Sequence, residues 1–205
     1  MAPHAFGIDV GGSGIKGALV NIKTGAFISE RFYAPTPPQA TPEDIATLSR
    51  TMLAESGCDV DIPVGIAVPA PVVDGVVSSM ANLSQEWAGT DAASLFAEAT
   101  GRRVCVLNDA DAAGMAEARF GGGETQDGTV IVFTLGTGIG SAVFSRGVLV
   151  SNTELGHISL DNGIADAEKW ASASARSREN LSLDEWAERL DVYPSILNAF
   201  SIPMS

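Results

Sequence analysis

Two glycine turns carry the residue types and spacing best suited to chemistry. The first is Asp9-Val10-Gly11-Gly12-Ser13-Gly14-Ile15-Lys16, between the apolar runs Ala5-Phe6-Gly7-Ile8 and Gly17-Ala18-Leu19-Val20. The second is Leu135-Gly136-Thr137-Gly138-Ile139-Gly140, between Thr129–Phe133 and Ser141-Ala142-Val143-Phe144. Glycine lets a backbone turn with positive φ and approach a ligand closely, so that its N–H groups converge on phosphate oxygens. Asp9 is placed to hold Mg2+ or its waters, and Lys16 to supply positive charge. The first turn alone reads equally as a bare hairpin. Two turns, each with hydroxyl residues, suggest a phosphate chain held between related halves.

Asp109 is the next candidate. In Leu107-Asn108-Asp109-Ala110-Asp111 it follows an apolar run, where a carboxylate can act as general base toward a sugar hydroxyl attacking phosphorus. Neighbouring phosphate charge would raise its pKa. Capping the following helix is a compatible role. Asp111 reads as compensation of the helix dipole. Glu154-Leu155-Gly156-His157 places a Glu and a His where they could bracket hydroxyls of a small polar ligand. A polar loop is the plainer reading of those four residues alone, and no Cys or His pair follows at metal-ligand spacing. His4 precedes the ordered fold in this reading, leaving His157 as the ordered histidine.

The elements that must position these groups follow from the pattern. The opening is a meander: strand, glycine turn, strand, turn at Lys23-Thr24-Gly25, and a third strand over Ala26–Tyr33. Ala34–Pro42 is a connector. Thr41 and Pro42 open a helix that stops at Gly57. Pro63–Val68 is a buried strand, and Val72–Val77 a hairpin turning on Asp74-Gly75. Thr90 caps a helix ending near Gly101, and the strand Val104–Leu107 delivers Asn108-Asp109. Ala110–Phe120 is a helix closed by Gly121-Gly122-Gly123. A second strand–turn–strand spans Thr129–Phe144, with a further turn at Arg146-Gly147. Asp166–Arg178 and Leu183 to about Tyr193 read as helices, with Pro194 breaking the last. The repeated hairpins favour two similar α/β lobes with a cleft between them.

Two other phosphate loops fail on spacing. Gly12-Ser13-Gly14-Ile15-Lys16-Gly17 satisfies the dinucleotide pattern, with Glu30 further on. That pattern needs its third glycine inside a helix crossing to a parallel strand. Ile15–Ile22 is instead β-prone and turns at Gly25, too short for a crossover. A Walker A loop would need Lys where Ala18 stands.

The 205 residues can form one large domain or two small ones, and 45% hydrophobic content suits an ordered core. A net charge of −13 argues against nucleic acid or anionic membrane as partners. Bound phosphate then depends on local cations, Mg2+ or helix N-termini. Arg102-Arg103 and Lys169, Arg176 and Arg178 form small basic groups, read as solvated surface. No apolar run is long enough to span a bilayer, and Met-Ala-Pro-His does not begin a secretory signal. Cys58 and Cys105 read as buried free thiols, consistent with a reducing cytoplasm.

Together these motifs resemble the ROK family of sugar kinases, within the actin-like, sugar-kinase and Hsp70 fold group. The match runs through Asp9-x-Gly11-Gly12-Ser13, Asn108-Asp109-Ala110, Leu135-Gly136-Thr137-Gly138-x-Gly140 and Glu154-x-Gly156-His157, in the family's order. It is strongest to the polyphosphate/ATP glucokinase (glucomannokinase) branch, through Ile8–Gly17, Asn108–Gly114 and Thr134–Ser141. The Cys-rich zinc motif of most ROK glucokinases is absent, so no zinc is expected. In its place stands Asp166-Ala167-Glu168.

The resemblance implies an α/β, actin-like (ribonuclease H-like) two-lobe fold with mixed sheets. Residues 1–108 would form the first lobe and 109–205 an incomplete second one. It implies transfer of a phosphoryl group from polyphosphate or ATP to the 6-hydroxyl of glucose, with Mg2+ and with Asp109 as base. Asn82, Asn108, Glu154, His157 and Glu168 match sugar-binding positions. Gly11, Gly12, Ser13, Gly14, Lys16, Gly136, Thr137 and Gly138 match the phosphate sites. Pro69-Ala70 stands where the family usually has Pro-Gly. The chain is expected to be a truncated or frameshifted member, because family members continue past the Trp186 helix. The alternatives are an impaired sugar-binding or regulatory fragment and a kinase for another hexose such as mannose. Donor preference stays open, and a homodimer is admitted.

Overall fold

Strand β1 (His4–Val10) buries Phe6, Ile8 and Val10 on one face and leaves Asp9 exposed. This alternation is what a half-buried strand requires. β1 pairs antiparallel with β2 (Gly14–Asn21), so that Asp9 lies opposite Lys16. His4 is therefore part of the fold, paired with Asn21, and not a loose end as the sequence suggests. The structure is a computed structural model that describes residues 3–81, 83–121, 128–160 and 163–192.

The third strand starts later than its composition implies. β3 is Phe32–Pro35, and upstream only the bridge Val20–Phe27 joins β2. There the Leu19 N–H donates to Ser29 Oγ at 3.0 Å, so a side chain replaces the next rung of the ladder. The residues Ala34 and Pro35, expected in a connector, belong to β3.

The parallel pairs of the sheet need crossover segments, and two helices supply them. Helix α1 (Pro42–Ser56) starts with a Thr41–Asp44 capping box and ends at Gly57, whose φ is +62°. It leads to β4 (Val64–Val68), parallel to β1. The hairpin of β5 (Val72–Val73) and β6 (Val76–Val77) turns at Asp74-Gly75. Helix α2 (Ala92–Thr100) then leads to β7 (Val104–Asn108), parallel to β4. The sheet order is β3-β2-β1-β4-β7. Phe6, Ile45, Trp87 and Phe96 are fully buried in its core, where the Trp87 indole donates to Ala40 O at 2.8 Å.

Two local expectations change here. The cap of α2 is Asp91, whose Oδ1 accepts the Ser94 N–H at 2.9 Å, while the Thr90 hydroxyl is engaged with Glu86 O. Cys105 is exposed, on the solvent-facing alternation of the edge strand β7, and Cys58 is half-buried.

Helix α3 (Asp109–Phe120) follows β7 directly and ends at Gly121. Strands β8 (Thr129–Leu135), β9 (Ile139–Ser145) and β10 (Val148–Val150) form a sheet of order β10-β9-β8. The helix expected over Asp166–Arg178 is two, α4 (Ala167–Ala171) and α5 (Ala173–Glu179). Ser172 takes an extended conformation between them and its hydroxyl accepts the Ala175 N–H, restarting the helix. Helix α6 (Leu183–Leu190) opens with a Ser182–Glu185 capping box. Two compact units result: Met1–Val130 with Ala142–Asn152, and Ile131–Ser141 with Thr153–Ser205. Asn82, Gly122, Gly123, Tyr193 and Pro194 lie outside the described residues.

Candidate active site

In the first unit the strand-to-helix junction sets the catalytic candidate. Asn108, at the end of β7, caps α3: its Oδ1 accepts the Asp111 N–H at 3.0 Å, and only 7% of the residue is exposed. Asp109 is thus the first helical residue and not the cap, which leaves its carboxylate for another task. One of its oxygens accepts the Ala110 N–H at 2.8 Å. Desolvation raises the Asp109 pKa above the usual 3.8, against the Ala110 bond, and the charges of Asp9 and Asp111 add to the rise. The residue is still exposed, so a substrate can reach it.

Asp111 has a role its sequence position does not suggest. It is 1% exposed, and its Oδ2 accepts the Asn152 N–H at 2.8 Å. Burial raises its pKa, and its Oδ1 has no hydrogen-bond partner among the described residues. Dipole compensation is therefore the lesser role, and anchoring the larger one. Asn152, with φ +58°, grips Val72 through both amide atoms: Nδ2 donates to Val72 O at 2.9 Å, and Oδ1 accepts from Val72 N at 2.8 Å. Sequence reasoning missed Asn152; its one signal is that Asn tolerates the left-handed region.

The first glycine turn, Gly11–Ser13, is braced from the edge of the sheet. Thr36 Oγ1 donates to Gly11 O at 2.5 Å, and the Gly11 N–H donates to Gly14 O at 3.1 Å. A Cβ at Gly14 would lie 2.4 Å from the Tyr33 ring. Neither these glycines nor Gly136 and Gly138 have a left-handed φ. Close approach, and not handedness, is the reason for glycine at 11, 14 and 138. Lys16 Nζ pairs with Asp9 Oδ2 at 3.1 Å, with both side chains about half exposed, at 53% and 51%.

In the second unit a carboxylate holds the turn. Glu168, from α4, accepts the Ile139 N–H at 2.8 Å through Oε2, and the Ala173 N–H donates to Gly136 O at 3.2 Å. The Glu154–His157 segment is a short 3-10 turn over Leu155–His157. Ser141 Oγ donates to Thr153 O and accepts the Leu155 N–H at 3.0 Å, tying that turn to β9. Glu154 and His157 are both exposed. His157 Nδ1 lies 3.4 Å from Asp166 Oδ1, and Lys169 Nζ is 3.1 Å from Asp166 Oδ2. Burial alone would raise the Asp166 pKa, but the Lys169 and His157 partners outweigh it and hold it low.

No group of three or more His, Cys, Asp or Glu among the described residues could cage an ion. Asp9 is exposed and offers hard carboxylate oxygen, which fits Mg2+ completed by waters and substrate phosphates.

The profile of the ROK family matches residues 5–175. The chain belongs to the ROK family. This ROK protein is 43% identical over 188 residues to the polyphosphate glucokinase of Mycobacterium tuberculosis, covering 91% of the chain and 69% of that relative. Its structure is similar to the inorganic polyphosphate/ATP-glucomannokinase of Arthrobacter sp. strain KM, with a TM-score of 0.86 and 47% identity over 95% of this chain and 78% of that one. The ROK glucokinase of Streptomyces griseus, solved with glucose and AMPPNP, follows at TM-score 0.73 and 31% identity, covering 85% of this chain and 59% of that one. The ROK protein thus has the α/β actin-like fold with the mixed sheet described above. No helix among its described residues is long and apolar enough to cross a membrane.

Proposed function

We propose that this ROK protein is a glucokinase that moves a phosphoryl group from polyphosphate or ATP to the 6-hydroxyl of glucose in the cytoplasm. The observation that carries this reading is Asp109: a reachable carboxylate with a raised pKa at the junction of β7 and α3, within the field of Asp9. A base tuned upward accepts a proton more readily from an attacking hydroxyl. The named activities of the polyphosphate glucokinase and glucomannokinase relatives support the choice of acceptor and donors.

The chain's residues divide the work. Asp109 takes the hydroxyl proton as the oxygen attacks phosphorus. Asn82, Asn108, Glu154, His157 and Glu168 orient the sugar, with His157 steadied by Asp166. Gly11–Gly14 and Gly136–Gly138 hold the phosphates through the N–H groups not already bonded within each turn, joined by Ser13, Thr137 and Lys16, so that catalysis is positioning plus charge stabilisation. Asp9 would hold Mg2+ directly or through water, and the ion would supply charge neutralisation on the phosphates. The test is a coupled assay for glucose 6-phosphate with polyphosphate and with ATP. Product with either donor is expected, and its absence with both would reject the reading.

A further inference from the structure

A turn whose amides must converge on phosphate needs its backbone held from outside. Gly136–Gly138 has one internal bond, from the Gly136 N–H to Gly138 O at 3.0 Å. The strongest brace is the Glu168 carboxylate on the Ile139 N–H at 2.8 Å, since ionised acceptors make bonds roughly twice as strong as neutral ones. The fit is close: a Cβ at Gly138 would come within 2.2 Å of Glu168 Oε2. On the other side of the same residue, a Cβ at Gly156 would come within 2.0 Å of Ile139 O. Ile139 itself is 2% exposed. Its backbone is therefore bonded at the N–H by α4 and closely approached at the carbonyl by Gly156.

We infer that Glu168 is a positioning residue for the phosphoryl donor: through the Ile139 N–H it sets the Gly136–Gly138 amides in their phosphate-receiving shape. This goes beyond contact with the acceptor sugar and rests on the donor role of the turn proposed above. A residue that touches only sugar would alter glucose affinity and leave the turn and the donor alone.

The experiment compares Glu168→Gln, which keeps an acceptor oxygen, with Glu168→Leu, which does not. Hydrogen exchange across residues 136–141 and calorimetric binding of inorganic tripolyphosphate with Mg2+, both without glucose, are the readouts. Glu168→Leu should speed exchange in that segment and weaken tripolyphosphate binding, each about tenfold, as loss of one charge-assisted bond would. Glu168→Gln should stay within about threefold of the parent in both. Unchanged exchange or unchanged tripolyphosphate affinity in Glu168→Leu would overturn the inference, as would a Gln variant as impaired as Leu. If the parent makes no glucose 6-phosphate but both readouts follow Glu168, the activity reading fails and the positioning role stands.

Discussion

The two glycine turns share a local pattern and differ in what holds them. The first is braced by neutral groups, Thr36 on Gly11 and the exposed Tyr33 ring over Gly14. Its charges, Asp9 and Lys16, face each other in solvent. The second is braced by a carboxylate that bonds a backbone N–H directly. A repeated turn is thus a repeated need for close backbone approach, met by different chemistry in each half. The first turn can yield at its side chains, whereas movement of the second breaks a charge-assisted bond.

The largest effect should fall on the first unit's chemistry and leave both turns intact. Asp109→Asn should lower kcat by about 10²–10⁴-fold with donor KM little changed. With the Asp109 pKa raised, the base is lost by protonation as pH falls, so the acid limb of kcat/KM should lie above the 3.8 of an unperturbed aspartate. The same shift makes ionised Asp109 oppose folding: wild-type stability from this group is present at low pH and fades as pH rises through its folded pKa. Asp109→Asn should accordingly gain stability relative to wild type between acid and neutral pH, measured by thermal melts.

Next in size is the anchor beneath the first turn's unit. Asp111→Ala should cost ~1–3 kcal/mol by leaving the Asn152 N–H without its buried acceptor, as measured by urea unfolding. Asp111→Asn keeps an acceptor, and its raised folded pKa gives the sign: its advantage over wild type should grow as pH rises from acid to neutral.

Adding one methyl to each turn sharpens the contrast. Gly14→Ala pushes on Tyr33, which is 65% exposed and can swing away, so donor KM should change less than about threefold. Gly138→Ala pushes on Glu168 and should raise donor KM about tenfold by breaking its bond to Ile139. Equal effects would erase the distinction between the turns. Smallest of all, Lys16→Ala should change stability by less than about 1 kcal/mol, because a solvated ion pair is worth little.

Much of the fold was readable because its signals are local. Apolar alternation around Gly11–Ser13 marks the β1–β2 hairpin, and Thr41-Pro42 with Gly57 bounds α1. The motif set likewise placed Asp109 at a strand end. The misses have long-range or side-chain causes. Asn152 reaches Val72 across 80 residues and Asp111 across 41, distances at which no spacing rule operates. Glu168 reads as a sugar contact, and its bond to Ile139, 29 residues away, is a second engagement that the sequence does not show. The delayed start of β3 and the break at Ser172 each arise from one hydroxyl competing for a backbone N–H, a choice that propensity leaves undecided.

The central claim is that Asp109 activates a sugar hydroxyl and does not merely hold the sugar. Glucose binding by calorimetry, set beside glucose 6-phosphate formation with polyphosphate and ATP in Asp109→Asn, tests it most directly. The account predicts binding near the wild-type level with turnover lost. Turnover retained in Asp109→Asn would contradict it.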